Sequence, residues 1–369
     1  MLAAAHRRFI AARRVSQTRV TLMGWRLRRS AALTAGVITL TLLVACTTEA
    51  PLPTPSATPS FVSSYEAPPP FDLAPLTGEV VPVGSATAPA FAAKIDNHPN
   101  ARPQVGLDRA DVVWEILVEG GLTRYIAVWQ SDIPDEIGPI RSVRPVDPSI
   151  VAPQGGIIAY SGGQSRFVVA MQQAPVYNAI HGQRDTADTM FRGQNAPSPH
   201  NVLVRAAQIV AEQNELAPPP QQFPFAESLA AATATKEGTA TTRIDLRFGG
   251  SSTPAWVWSA DTQTFIRYMT GGSPDRAAGG AQLSAVNIVT LRVPVQVIQS
   301  IPTVDLIGTG EAWVSTGGAT VAATWSKSSL TDQIRIVDAN GVAVRLAPGN
   351  TWVELVPLAG SVSFSRPAS

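Results

Sequence analysis

Two arginines three residues apart, Arg141 and Arg144, stand in the proline-bounded run Gly138-Pro139-Ile140-Arg141-Ser142-Val143-Arg144-Pro145. Guanidinium forks held by a stiff loop suit phosphate or carboxylate, because each presents parallel N–H donors to two oxygens. Arg124 or Arg102 would supply a third arm to such a clamp. Other polar groups gather where apolar runs break or where one carries a charge. Asp96-Asn97-His98 follows one run, Asp111 and Glu115 lie in the next, and Glu119 precedes Gly120-Gly121. Asp96, Glu115 or Glu119 could act beside the arginines as acid, base or cation ligand. Pro199-His200-Asn201 precedes a helical pattern whose start would favour an anion, although Asn201 also suits the plainer role of a helix cap. The candidate ligand-binding set is therefore Asp96, Asn97, His98, Arg102, Glu115, Glu119, Arg124, Arg141, Ser142, Arg144, His200 and Asn201. Arginines and carboxylates at this density also pair with one another and lock loops without any ligand, so each residue carries that second reading.

Familiar catalytic signatures are missing: there is no G-x-S-x-G elbow, Walker loop, H-E-x-x-H or S-x-x-K. After the N-terminal segment only His98, His181 and His200 remain, and no two are spaced to share a helix face. The ligand spacing of a metal site is therefore absent, no cofactor is expected, and no catalytic residue is assigned. A divalent cation would enter only with an enzymatic reading. Trp256, Trp258, Trp313, Trp325 and Trp352 could form a sugar platform, but tryptophans spread over separate strands are more often core.

The elements that must position these groups fall into two parts. Residues 76–216 read as a mixed-sheet α/β domain. Strands are expected at Ala90 to Ile95, Val112 to Val118, Tyr125 to Gln130 and Gly155 to Ser161, with a hairpin at Glu119 to Thr123. Helices are expected at Phe167 to Gln173 and Val204 to Leu216, where apolar residues recur every three or four positions. Ala217-Pro218-Pro219-Pro220 opens a linker over 217–240. Residues 241–360 read as a mainly antiparallel β domain, with hairpin turns at Gly317-Gly318 and Asn340-Gly341.

Ahead of both parts, residues 1–45 read as a targeting segment. Eight arginines precede an apolar run from Ala31 to Ala45, too short for a confident span, which ends in Leu43-Val44-Ala45-Cys46. That ending resembles a bacterial lipobox, which implies export, a diacylglyceryl or palmitoyl lipid on Cys46 and tethering to the outer face of the cell membrane. Met23 is an alternative start. Residues 46–75 are rich in Pro, Ser, Thr and Ala and read as an extended tether. Cys46 is the only cysteine, so no internal disulfide can form and the folded part must be held by core burial. Removing the targeting segment leaves 20 basic against 27 acidic residues, a net charge of −7. That balance argues against a nucleic-acid partner.

The same residues carry a resemblance to the YerB-like bacterial lipoproteins, a family of unknown function. It rests on Pro75 to Gly78, Ile95 to Gln104, Ala110 to Glu115, Val118 to Arg124, Gly138 to Pro145, Gly162-Gly163 and Pro199 to Asn201. Later in the chain it includes Gly308 to Ala312 and Pro348 to Trp352. The resemblance implies a two-part extracytoplasmic lipoprotein without specifying a reaction. Around Arg184 to Gln194 the chain is less aromatic and acidic than the family pattern. The order of acidic strand, hairpin, arginine loop and Gly-Gly is also similar to the LytR-CpsA-Psr envelope phosphotransferases. That similarity implies Arg124, Arg141 and Arg144 as anion ligands, with Asp96 or Asp111 as cation ligand or base. Three functions are thus carried forward: a binder of an anionic envelope ligand, a phosphotransferase or hydrolase acting on phosphate-linked glycan or lipid-linked phosphate, and a protein-binding scaffold.

Overall fold

The computed structural model describes residues 70–367 apart from residue 195. Cys46, the targeting segment and most of the tether lie outside the described residues.

One eleven-stranded sheet organises the molecule. Labelled in chain order, its strands are β1 Phe91–Asp96, β2 Val112–Leu117, β3 Thr123–Trp129, β4 Ile157–Tyr160, β5 Tyr177–Ile180, β6 Thr239–Ala240, β7 Asn287–Val293, β8 Gly308–Thr316, β9 Ala319–Lys327, β10 Arg335–Val337 and β11 Thr351–Pro357. Their spatial order is β6-β9-β8-β7-β11-β2-β3-β1-β4-β5, with β10 paired to β9. The sheet is mixed. Strand β11 lies parallel to both β7 and β2, and β4 lies parallel to both β1 and β5.

Alternation explains why these segments form strands buried on both faces. Ala92 of β1, Trp114 and Ile116 of β2 and Ile126 and Val128 of β3 enter one apolar cluster. Phe91, Ala93 and Ile95, Val113, and Tyr125 and Ala127 enter the other. The first cluster is covered by the helices Asp147–Val151 and Ser165–Gln172. A five-stranded antiparallel sheet covers the second, in the order Ser284–Ala285, Thr264–Tyr268, Ala255–Ser259, Arg243–Arg247, Ser361–Ser365. Trp256, Trp325 and Trp352 are fully buried, so these three serve the core.

Three sequence expectations change. Residues 241–360 pair mainly antiparallel among themselves, but they do not stand apart from the first part: β11 runs parallel to β7 and pairs with β2 in the centre of the sheet. The stretch 217–240 holds the helix Thr233–Glu237 and strand β6, with Ala232 and Ala234 fully buried, so it is packed rather than free. The helix expected from Val204 begins at Ala206, since Val202–Arg205 pairs with Glu136–Ile137 and Met190–Arg192 in a small sheet. The hairpin turn Gly317-Gly318 joins β8 to β9, and both glycines take positive φ as a tight turn of this kind requires. Among the described residues no helix is long and apolar enough to cross a membrane.

Candidate functional site

The candidate residues divide between two charged clusters. The first is a pocket of about 260 Å³ at the ends of β1, β2 and β3, lined by Asp96, His98, Glu119, Arg124, Arg141, Arg144 and His200 together with Val118, Leu122 and Thr123. Strand β1 delivers Asp96 and β3 delivers Arg124, directly opposite each other in register. The segment carrying Arg141 and Arg144 is laid against β1: Arg141 N donates to Lys94 O and Ile140 forms a bridge with Ile95. His200 arrives from the loop preceding Val202–Arg205, more than a hundred residues after Asp96, and its Nδ1 lies 2.7 Å from Asp96 Oδ2.

Charge is unequal in this pocket. Arg144 is held by Glu119, with Nε and Nη2 at 2.9 and 2.8 Å from Oε2. Burial pushes Glu119 up, but the Arg144 hydrogen bond, a backbone hydrogen bond and the charges of Arg144 and Arg124 together outweigh it and keep the carboxyl below its ordinary range. Arg141 Nε lies 3.3 Å from Asp96 Oδ2, close enough for ionic attraction but without an aligned hydrogen bond. Among the described residues Arg124 meets no carboxylate at ion-pair distance and donates only to the Ser142 carbonyl, at 3.0 Å. Burial first, and then repulsion from Arg144, push Arg124 down to about 10. Three guanidiniums therefore face two carboxylates.

Two histidines complete the wall. Their rings stack, with centroids 4.3 Å apart and planes 16° from parallel. A carboxylate can only accept, so His200 Nδ1 carries the proton shared with Asp96, and Nε2 of a neutral ring is left as an acceptor. His98 Nδ1 accepts from Asn100 N, which places the proton of its neutral ring on Nε2. Beneath the pocket, Lys94 is fully buried and paired with Asp147 at 2.8 Å, while Asp147 Oδ2 also accepts from Arg144 N. Desolvation pushes Lys94 down to about 8, against the pull of Asp147.

The second cluster is closed. Arg102 donates to Asn97 and Asp275, Asn97 donates to Thr123, Thr123 donates to Glu115, and Arg267 bonds Glu115 and Asp275. These contacts return to their starting point, forming a ring of six side chains. Arg267 also meets Glu354 at 3.1 Å and lies over the Trp352 ring, 4.6 Å from its centroid. Burial and the neighbouring Glu115 hold Glu354 well above the usual carboxylate range.

Asn97, Arg102 and Glu115 thus belong to the ring and do not line the arginine pocket, which the ring meets only at Thr123. Ser142 contributes its carbonyl, which accepts from Arg124 and Arg144. Asn201 accepts from Arg192 and donates to Gly193 O, fastening the loop that carries His200. Asp111 accepts from Gln130 N and from the Ser131 backbone and hydroxyl, capping a turn at the far end of β3. Among the described residues no group of three or more His, Cys, Asp or Glu side chains is placed to hold a metal ion. Sequence reasoning missed Lys94, Asp147, Arg267 and Asp275. Two of them carried a signal, since Lys94 interrupts the apolar Phe91-Ala92-Ala93-Lys94-Ile95, and Arg267 shares strand parity with buried Phe265.

A central mixed sheet flanked by helices and a second sheet, with an arginine pocket at its strand ends, defines an α/β framework of two interlocked segments. Residues 76–218 match the N-terminal domain, and residues 244–353 the C-terminal domain, of the family described as "Protein of unknown function (DUF3048)". The chain belongs to this family. It is 25% identical over 301 residues to the Bacillus subtilis protein named "Putative lipoprotein YerB", covering 79% of this chain and 88% of that one. The crystal structure of Bacillus subtilis YerB matches the fold with a TM-score of 0.67 at 23% identity, covering 79% of this chain and 99% of that chain.

Proposed function

We propose that this protein is a lipid-anchored extracytoplasmic receptor for an anionic component of the cell envelope, bound in the pocket of Arg124, Arg141 and Arg144. The observation that carries the reading is the surplus guanidinium: Arg124 is largely buried beside two other arginines and, among the described residues, has no carboxylate at ion-pair distance. A buried cation without a counter-ion is costly unless a ligand supplies the charge. Phosphate fits better than a single carboxylate, because three forks offer more donors than two oxygens can accept. Location rests on the lipobox-like ending at Cys46 and on kinship to a protein named as a lipoprotein. Calorimetric titration of the full-length protein with inorganic phosphate tests the site. Binding should weaken at least tenfold in Arg141→Gln and in Arg144→Gln, and no binding to the wild type would remove the reading. Cys46→Ala should abolish labelling by a radioactive fatty acid; persistent labelling would remove the anchor.

His200 favours a second reading, hydrolysis or transfer at a phosphate ester. A ring oriented by Asp96, with Nε2 left as an acceptor, has the layout of a general base. Turnover of a phosphate ester that disappears in His200→Gln, with phosphate affinity retained, would establish it. Binding without turnover would leave the receptor reading alone.

A further inference from the structure

The arginine pocket has a neighbour on the other side of His200. The same imidazole also lines a second cavity of about 210 Å³, whose other walls include Ala101, Val105, Pro139, Leu203 and Ala278. His98 lines the arginine pocket and does not line this cavity, so His200 is the side chain shared by a cationic site and an apolar one. The apolar cavity is built as firmly as the charged one. Leu203 lies on the face of its strand opposite the buried Val202 and Val204, which fixes its direction. Gly138 and Gly193 let the strand approach closely: a Cβ at Gly138 would stand 2.8 Å from Leu203 Cδ2, and one at Gly193 would stand 3.0 Å from Cδ1. Arg102 lines this cavity too, but its guanidinium is already engaged by Asn97 and Asp275, so it does not act as a further anion ligand.

From this adjacency we infer that the ligand is an amphiphilic phosphate monoester, a single alkyl or prenyl chain whose phosphate meets Arg124, Arg141 and Arg144 while its first carbons enter the cavity past His200. The inference rests on the receptor reading above and specifies its ligand class. The pocket supplies the positive charge that matches a phosphate, and the neighbouring walls supply apolar surface that a free phosphate would leave wet.

Titrating the full-length protein with methyl phosphate and with hexyl phosphate tests it. Hexyl phosphate should bind at least tenfold more tightly. Ala278→Phe, at an exposed position where a ring would fill the cavity mouth, should remove that advantage and leave methyl phosphate unchanged. Leu203→Asn, which makes a wall polar, should reduce the advantage as well. Equal affinity for the two esters in the wild type would overturn the inference while the anion site stands. So would an advantage that survives intact in both variants. If neither ester nor inorganic phosphate binds, the receptor reading and this inference fall together.

Discussion

The ring around Arg267 and the pocket around Arg124 contain the same residue types a short distance apart, yet they differ in stoichiometry and in solvent access. Arg267 is almost wholly enclosed and meets Glu115, Asp275 and Glu354, while Arg102 joins from the edge. Burial alone would pull the Arg267 guanidinium down, but the surrounding carboxylates raise it well above its ordinary value. Arg124 shows the opposite balance, since burial and a like-charged neighbour lower it and no carboxylate is close enough to reverse the effect. The difference teaches that density of charge alone does not separate a structural network from a candidate binding site; charge left uncompensated at a solvent-reachable place does.

The largest expected effect breaks the ring. Arg267→Leu removes the cation that touches Glu354 and leaves Glu115 and Asp275 facing an apolar side chain. Loss of one partner from a buried charge network costs about 3–5 kcal/mol, readable as a lower urea midpoint at unchanged slope. A loss below about 1 kcal/mol, the size of an exposed pair, would mean the ring is not a closed structural unit. Next in size is Asn97→Ala, which takes one hydrogen-bond partner from each of Arg102, Gln104 and Thr123 and leaves them Asp275, Asp96 O and Glu115. Stability should fall by about 1–3 kcal/mol, with affinity for inorganic phosphate unchanged. Lost affinity at full stability would place Asn97 in the pocket after all. Arg124→Met should do the reverse. Phosphate affinity drops at least tenfold, about 1.4 kcal/mol, while stability holds or rises slightly, because a cation disfavoured by its surroundings has been replaced by an apolar side chain.

Much of this division was legible in the residues, and the rest was hidden for physical reasons. The run Gly138 to Pro145 revealed its arginines through local stiffness and spacing, and both line the pocket. Gly317-Gly318 announced its hairpin because only glycine tolerates such φ angles freely. The union of His200 with Asp96 could not be read, since it depends on pairing between segments far apart in the chain. Nor could the ring: Glu115 finds its partner in Arg267, brought near by the packing of a second sheet on the first. The parallel insertion of β11 beside β2 was likewise invisible, because the pattern of Thr351–Pro357 is that of any doubly buried strand. Local chemistry shows in sequence, whereas partnership across a sheet does not.

The smallest effect concerns the floor of the pocket, where Lys94 and Asp147 form a balanced pair beneath an unbalanced one. Lys94 is lowered from 10.5 to about 8, by burial first and in part by Arg124 and Arg144. Between about pH 8 and 10.5 the unfolded chain therefore holds a proton on this lysine that the folded chain has lost. Stability rises with pH wherever the unfolded state binds more protons, at up to about 1.4 kcal/mol per pH unit for one full proton. Unfolding by urea at pH 7.5 and 9.5 should accordingly show a higher free energy at the upper value. Buried Lys327, also lowered to about 8, contributes with the same sign, so Lys94→Met should flatten the slope without abolishing it. Arg124→Met should flatten it less, because removing a neighbouring cation lets Lys94 keep its proton to higher pH. A slope unchanged in both variants would mean that Lys94 feels neither its burial nor the arginines above it, and the contrast between pocket and ring would then rest on geometry alone.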